Sequence, residues 1–121
     1  LNTSTAAETV DRIIAFFPPE NQTQIAHQLA SVLRAVIAQQ LLPTVEGGLV
    51  VAREIMINNN AIANLIRSNQ VEQINSTIQT SAKDGMITMN NAIQKLYEDG
   101  VISEDTVHNR KRDMETKAVY Y

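Results

Sequence analysis

The sequence predicts a mostly α-helical chain packed around one antiparallel β-hairpin. Three observations carry this. Apolar residues recur at helical spacing through most of the 121 residues. One stretch, Leu49–Ile57 (LVVAREIMI), is instead almost continuously apolar over strand length. Gly47-Gly48 precedes it as a turn that tolerates positive φ.

The elements follow in order. Thr5 and Glu8 have capping-box spacing, so a helix begins at Ala6. Ala6, Val10, Ile13, Ile14 and Phe17 form its apolar stripe, and Pro18-Pro19 ends it. A second helix starts near Pro19–Asn21 and buries Ile25, Leu29, Val32, Leu33, Val36 and Ile37. Its end is open: Val36–Leu42 either continues the helix or turns into a strand. In the second case the hairpin covers about 37–57. The near-continuous apolar run predicts burial of the second strand on both faces. A lone hairpin is marginal in water, and the chain offers no other convincing strand, so more sheet is expected. Leu49–Ile57 would then lack a neighbour and invite pairing with a second copy.

The helical part runs over 60–112. Asn60 is expected to cap Ala61–Ser68. Asn69 and Glu72 have the spacing of a cap and its N3 acid, ahead of Val71, Ile74 and Ile78. Thr88 caps a longer helix with Met89, Ala92, Ile93, Leu96 and Tyr97 inward, and Gly100 stops it. Ser103 opens a last helix from Glu104 to about Arg112. The tail, 113–121, has weak periodicity.

Bulk properties exclude several functions. The chain is 44% hydrophobic and 19% charged, ordinary values for a soluble domain. A net charge of −3 and 4% aromatic content argue against nucleic acid. With no cysteine, disulfides, thiol catalysis and cysteine zinc sites are excluded, and a reducing cytoplasm fits. No apolar run approaches the roughly 20 residues that span a bilayer. The chain opens at Leu1 without an initiator Met, so a longer parent is expected.

No catalytic constellation is visible. GxxxxGK[ST], GxSxG and HExxH do not occur. His27 and His108 stand apart without an acid at ligand spacing, so no metal site is expected. Asp11, Glu54 and Asp84 read as solvated or paired structural acids. Arg53–Glu54, inside the apolar strand, reads as charge at a strand edge or end that discourages wrong pairing, or as an intersubunit ion pair. Arg67, alone, is a cation placed favourably near a helix C-terminus.

The stretch Glu54–Ser68, EIMINNNAIANLIRS, carries more in its order. AIANLIRS closely resembles the AIRNLIRE signature of the type IV pilus retraction ATPases, the twitching-motility PilT family. LNTSTA resembles the end of that family's histidine box, LHTNSA. AETVDRIIAFFPPE, LASVLRAVIAQQLLP, VAREIMI, STIQTSAKDGM and LYEDGVIS then follow in the family's order. Five positions depart from it. Ala63 replaces the signature's first arginine and Ser68 its glutamate. Asn2 stands in place of the last histidine of the box, Ser81 of a glycine and Asn90 of an aspartate.

The resemblance implies α/β parentage: the C-terminal portion of a RecA-like P-loop ATPase domain whose phosphate loop, acidic boxes and central sheet precede Leu1. It implies a cytoplasmic hexamer at the inner membrane, working on the pilus platform and driven by ATP with Mg²⁺. No nucleotide is expected on this segment alone, nor any catalytic residue within it. By carry-over, Ala61, Ile62, Asn64, Leu65, Ile66 and Arg67 form the coupling motif, and Asn2, Thr3 and Ala6 are a histidine-box remnant. The lack of cysteine favours a retraction motor over an assembly-type secretion ATPase with its four-cysteine zinc loop. The competing expectation is a non-enzymatic helical interaction or regulatory module.

Overall fold

A computed structural model describes residues 5–110. Thr5 caps α1 (Ala6–Ala15) by accepting the Glu8 N–H at 3.2 Å, as the capping-box spacing predicts. Ala6, Val10 and Ile14 face the core. Phe17 does not join them. It stacks edge-on against Phe16 at the corner where the chain turns into Pro18, and both rings reach solvent.

Pro19 opens α2 (Pro19–Val32) at a position where its missing N–H costs nothing. Its fully buried side chains are the small Ala26 and Ala30, and the expected Leu29, Leu33 and Val36 pack partly buried against the same cluster. Val32 and Ile37, expected inside, are exposed. The helix stops at Val32, and Leu33 is already extended. The ambiguous segment is therefore a strand, where its β-branched side chains fit the pleat.

The hairpin pairs β1 (Ala35–Pro43) with β2 (Leu49–Ile57), antiparallel, from Ala35 opposite Ile57 to Pro43 opposite Leu49. Its burial corrects the sequence reading. Ala38, Gln40 and Leu42 on β1 and Ala52, Glu54 and Met56 on β2 point into the core. The odd-numbered side chains point outward, and Ile37, Leu41 and Leu49 are more than half exposed. The sheet is thus buried on one face only, because helices cover just that side.

The outer flank of β2 is met at one residue. β2 is flanked on its far side by Ile87, which exchanges two backbone hydrogen bonds with Ile55 at 2.9 and 3.1 Å. Among the described residues neither outer flank has a strand partner, and that of β1 has no bridge either. Asn58 donates its N–H to Arg34 O, and Thr44 to Gly48 O, so even positions of β1 carry the ladder bonds. The backbone groups of Ile37, Gln39 and Leu41 then face the open edge.

Beyond the hairpin, α3 (Asn60–Arg67) begins one residue earlier than expected, with Asn59 and not Asn60 as its cap. Asn69 is not a cap. It holds φ 58 just past α3, a left-handed position that asparagine tolerates. A 3₁₀ turn at Val71–Gln73 leads into α4 (Ile74–Gln79), and another at Ala82–Asp84 ends on Gly85. Thr88 caps α5 (Met89–Glu98), and Gly100 follows it at φ 77, both as expected. Tyr97 is partly exposed. A last helix, α6, covers 104–110. Its expected end at Arg112 and the tail 113–121 lie outside the described residues.

Two apolar clusters result. One joins α1, α2, α3 and α4 to Met56. The other seats Met89, Ala92, Ile93, Ile102 and Val107 on Ala38, Leu42 and Ala52. No described helix is long and apolar enough to cross a membrane.

Candidate functional site

The AIANLIR segment forms α3. The Asn59 side chain accepts the Ile62 N–H at 2.9 Å and sets the start of the helix. Spacing by four turns Ile62 and Ile66 to one side, where both are fully buried against the first cluster. Ala63 and Leu65 pack at its margin. Ala61, Asn64 and Arg67 lie on the exposed side. The motif therefore divides: Ile62 and Ile66 anchor the helix, and Asn64 and Arg67 are available for contact. Arg67 Nη1 donates to Asn64 Oδ1 at 2.7 Å, and Ser68 Oγ donates to Asn64 O at 2.7 Å.

Arg67 borders two clefts. One, about 310 Å³, lies between α1, α2 and the end of α3 and includes Ile14, Thr23 and Asn69. The other, about 730 Å³, is open and brings Arg67 together with Arg34 and Asn58–Asn60. Asn58 donates through Nδ2 to Ala30 O and Leu33 O, capping the C-terminal end of α2. Its Oδ1 is buried without a partner.

Glu54 is the functional candidate that sequence reasoning misread. It stands at the middle of β2, 1% exposed, and is neither an edge charge nor an intersubunit pair. One carboxylate oxygen accepts the Ala6 N–H at the start of α1. The other accepts the Met89 N–H at the start of α5, at 2.9 Å. A single acid thus satisfies one orphan donor on each of two helices and lies at their positive ends. Burial raises its carboxyl above the ordinary carboxylate range, and the two backbone bonds offset this only in part. A cavity of about 180 Å³ beside it is lined by Thr5, Asn75 and Asn90, with Glu54 its only acid. The available signal was a lone acid in an otherwise apolar strand, which reads differently once that strand is central to the core.

The remaining candidates stay apart. Of the histidine-box remnant, Ala6 is held by Glu54, and Asn2 and Thr3 lie outside the described residues. His27 is exposed, and His108 pairs with Glu104 at 3.4 Å on the surface. Asp84 accepts a weak bond from Asn59 Nδ2 at 3.3 Å. Among the described residues no three His, Asp or Glu side chains come together as a metal site.

No family model matches the chain. Individual proteins do. It is 42% identical to a twitching motility protein of Neisseria gonorrhoeae over 117 residues, which is 96% of the chain and 31% of that relative. It is 38% identical over 112 residues to the type IV pilus retraction ATPase PilT of Pseudomonas aeruginosa, 93% of the chain and 33% of that relative. A crystal structure of the pilus retraction motor PilT with bound ADP superposes with a TM-score of 0.78 at 40% identity, covering 88% of the chain and 29% of the motor. The chain spans about a third of the length of these relatives. Over that third, by sequence and by fold, the chain is similar to the type IV pilus retraction ATPases.

Proposed function

We propose that this chain is the C-terminal part of an ATP-driven motor that retracts type IV pili, and that α3 passes domain movement to a neighbouring surface. The observation that carries this is the likeness to retraction ATPases across nearly the whole chain, with AIANLIR on a helix that is anchored on one side and open on the other. The parent would work as a cytoplasmic hexamer at the inner membrane, against the pilus platform.

The residues present do not fit a nucleotide site. GxxxxGK[ST] does not occur in the sequence, and the described acids do not cluster. ATP and Mg²⁺ would be held by the rest of such a motor, so no hydrolytic step is assigned to these side chains. Within the segment, Ile62 and Ile66 hold α3 on the core, and Asn64 and Arg67 would make the contact. Glu54 would tie the start of α1, next to the histidine-box remnant, to the strand that leads into α3. The short turn from Thr44 to Gly48 leaves no room for a zinc loop, in keeping with retraction in place of assembly.

Two measurements test the reading. The purified chain mixed with MgATP should release no phosphate above buffer, and sustained turnover would contradict the assignment. A chimera carrying this segment in the P. aeruginosa retraction ATPase should restore twitching. Asn64→Ala with Arg67→Ala in that chimera should keep ATP hydrolysis and lose twitching. A chimera that hydrolyses ATP normally yet never restores twitching, even with Ala63→Arg and Ser68→Glu, would overturn it.

A further inference from the structure

We propose that the open cleft between the end of α2 and α3 docks an acidic segment of a different protein, one that carries carboxylates beside an aliphatic side chain. The inference deepens the reading of α3 as a contact surface, on which it rests, by naming what that surface takes.

Two cations from different elements share this cleft, of about 730 Å³. Arg34 follows α2, and Arg67 ends α3. Asn58 fixes the end of α2 beside the start of α3. Its N–H donates to Arg34 O at 2.9 Å, and its Nδ2 donates to Ala30 O and Leu33 O. The cleft is therefore set before any partner arrives, which lowers the cost of binding. Both arginines are exposed, and neither forms an ion pair among the described residues. Arg67 spends one nitrogen on the neutral Asn64 side chain at 2.7 Å, which directs the guanidinium and leaves its other donors available. No acid lines the wall, and Asp84 reaches the rim only through Asn59 Nδ2 at 3.3 Å. The chain carries a net charge of −3, so the cleft has the opposite sign to the molecule that bears it. Guanidinium groups bind carboxylates in a two-pronged geometry.

The surroundings select the class of partner. Val32, 71% exposed, and Ile57, 37% exposed, line the same cleft. A bare inorganic anion gains nothing from them. A small molecule needs enclosure over most of its surface, and this cleft is open. A polypeptide segment meets both conditions: an aliphatic side chain covers Val32 and Ile57 while its carboxylates reach Arg34 and Arg67. The apolar contact then supplies affinity, and the charges supply steering and choice of partner.

A short fluorescent peptide of alternating glutamate and leucine, titrated with the purified chain and read by anisotropy, tests the proposal. It should bind more tightly than about 1 mM at low salt and weaken at least about tenfold in about 500 mM NaCl. Arg34→Gln with Arg67→Gln should weaken binding at least about tenfold with the helical signal unchanged. Arg53→Gln, at an exposed arginine outside the cleft, should leave it as it was. Glutamine for glutamate in the peptide should cost as much as the two arginine changes, and serine for leucine should also weaken it. No binding by about 1 mM would overturn the proposal. So would an equal loss with Arg53→Gln, which would make the attraction one of overall charge. Full displacement by inorganic phosphate at constant ionic strength would make the cleft a small-anion site and overturn it too. A dimer by sedimentation that the two arginine changes abolish, with no peptide bound, would give the cleft to a second copy instead. The motor reading fails separately: a retraction chimera that binds the peptide yet never restores twitching counts against that reading and leaves the partner chemistry of the cleft in place.

Discussion

Glu54 on β2 accepts the first backbone N–H of α5, that of Met89, at 2.9 Å, while its other oxygen holds the first N–H of α1 at Ala6. Three elements far apart in sequence meet at this carboxylate. α1 and α5 are thereby fixed to the same strand, and that strand runs directly into α3.

Glu54→Ala leaves two buried donors without an acceptor. Each orphaned group costs about 1–3 kcal/mol, so a loss of about 2–6 kcal/mol is expected. Glu54→Gln keeps one carbonyl acceptor and should cost less. Urea unfolding of the three proteins gives the order wild type, Gln, Ala. Equal midpoints would remove the clamp from the account of the fold.

The same carboxylate sets a pH dependence. Its folded-state pKa lies above the unfolded value, so the folded chain binds that proton more tightly. Its contribution to stability is complete below about pH 4.3, the ordinary glutamate value, and is lost as pH rises through the raised folded value. The stability difference between wild type and Glu54→Gln should therefore shrink from pH 4 toward neutrality. A difference that grows over this window would mean that the two backbone bonds outweigh burial.

The two sides of α3 should respond differently. Ile66→Ala opens a cavity in the first cluster and should cost about 2–5 kcal/mol. Arg67→Ala, on the exposed side, should change stability by no more than about 0.5 kcal/mol. Thermal melts of the two variants separate anchoring from contact. A large loss at Arg67 would make it a structural residue and weaken its assignment to coupling.

Local chemistry was legible in the residues themselves. Thr5, Thr88 and Gly100 mark helix boundaries because their caps need only nearby backbone groups, and the structure places each as expected. The order AIANLIR and STIQTSAKDGM pointed to retraction ATPases, and the relatives agree. The cap of α3 was off by one because Asn58, Asn59 and Asn60 are chemically alike. Their bonds in the fold distinguish them: Asn58 closes the end of α2, and Asn59 accepts the Ile62 N–H.

What the residue order determined by itself is most of the helices, the caps at Thr5 and Thr88, the hairpin turn and the likeness to retraction ATPases, all of which depend on neighbours a few positions apart. What the tertiary structure decided is which strand face is dry, where a second segment touches the outer flank of β2 and where Glu54 resides. Those depend on Ile87 reaching across to Ile55, and on α1 and α5 converging on one carboxylate from 48 and 35 residues away. Periodicity cannot encode such contacts: an apolar strand reads the same whether helices cover one of its faces or both.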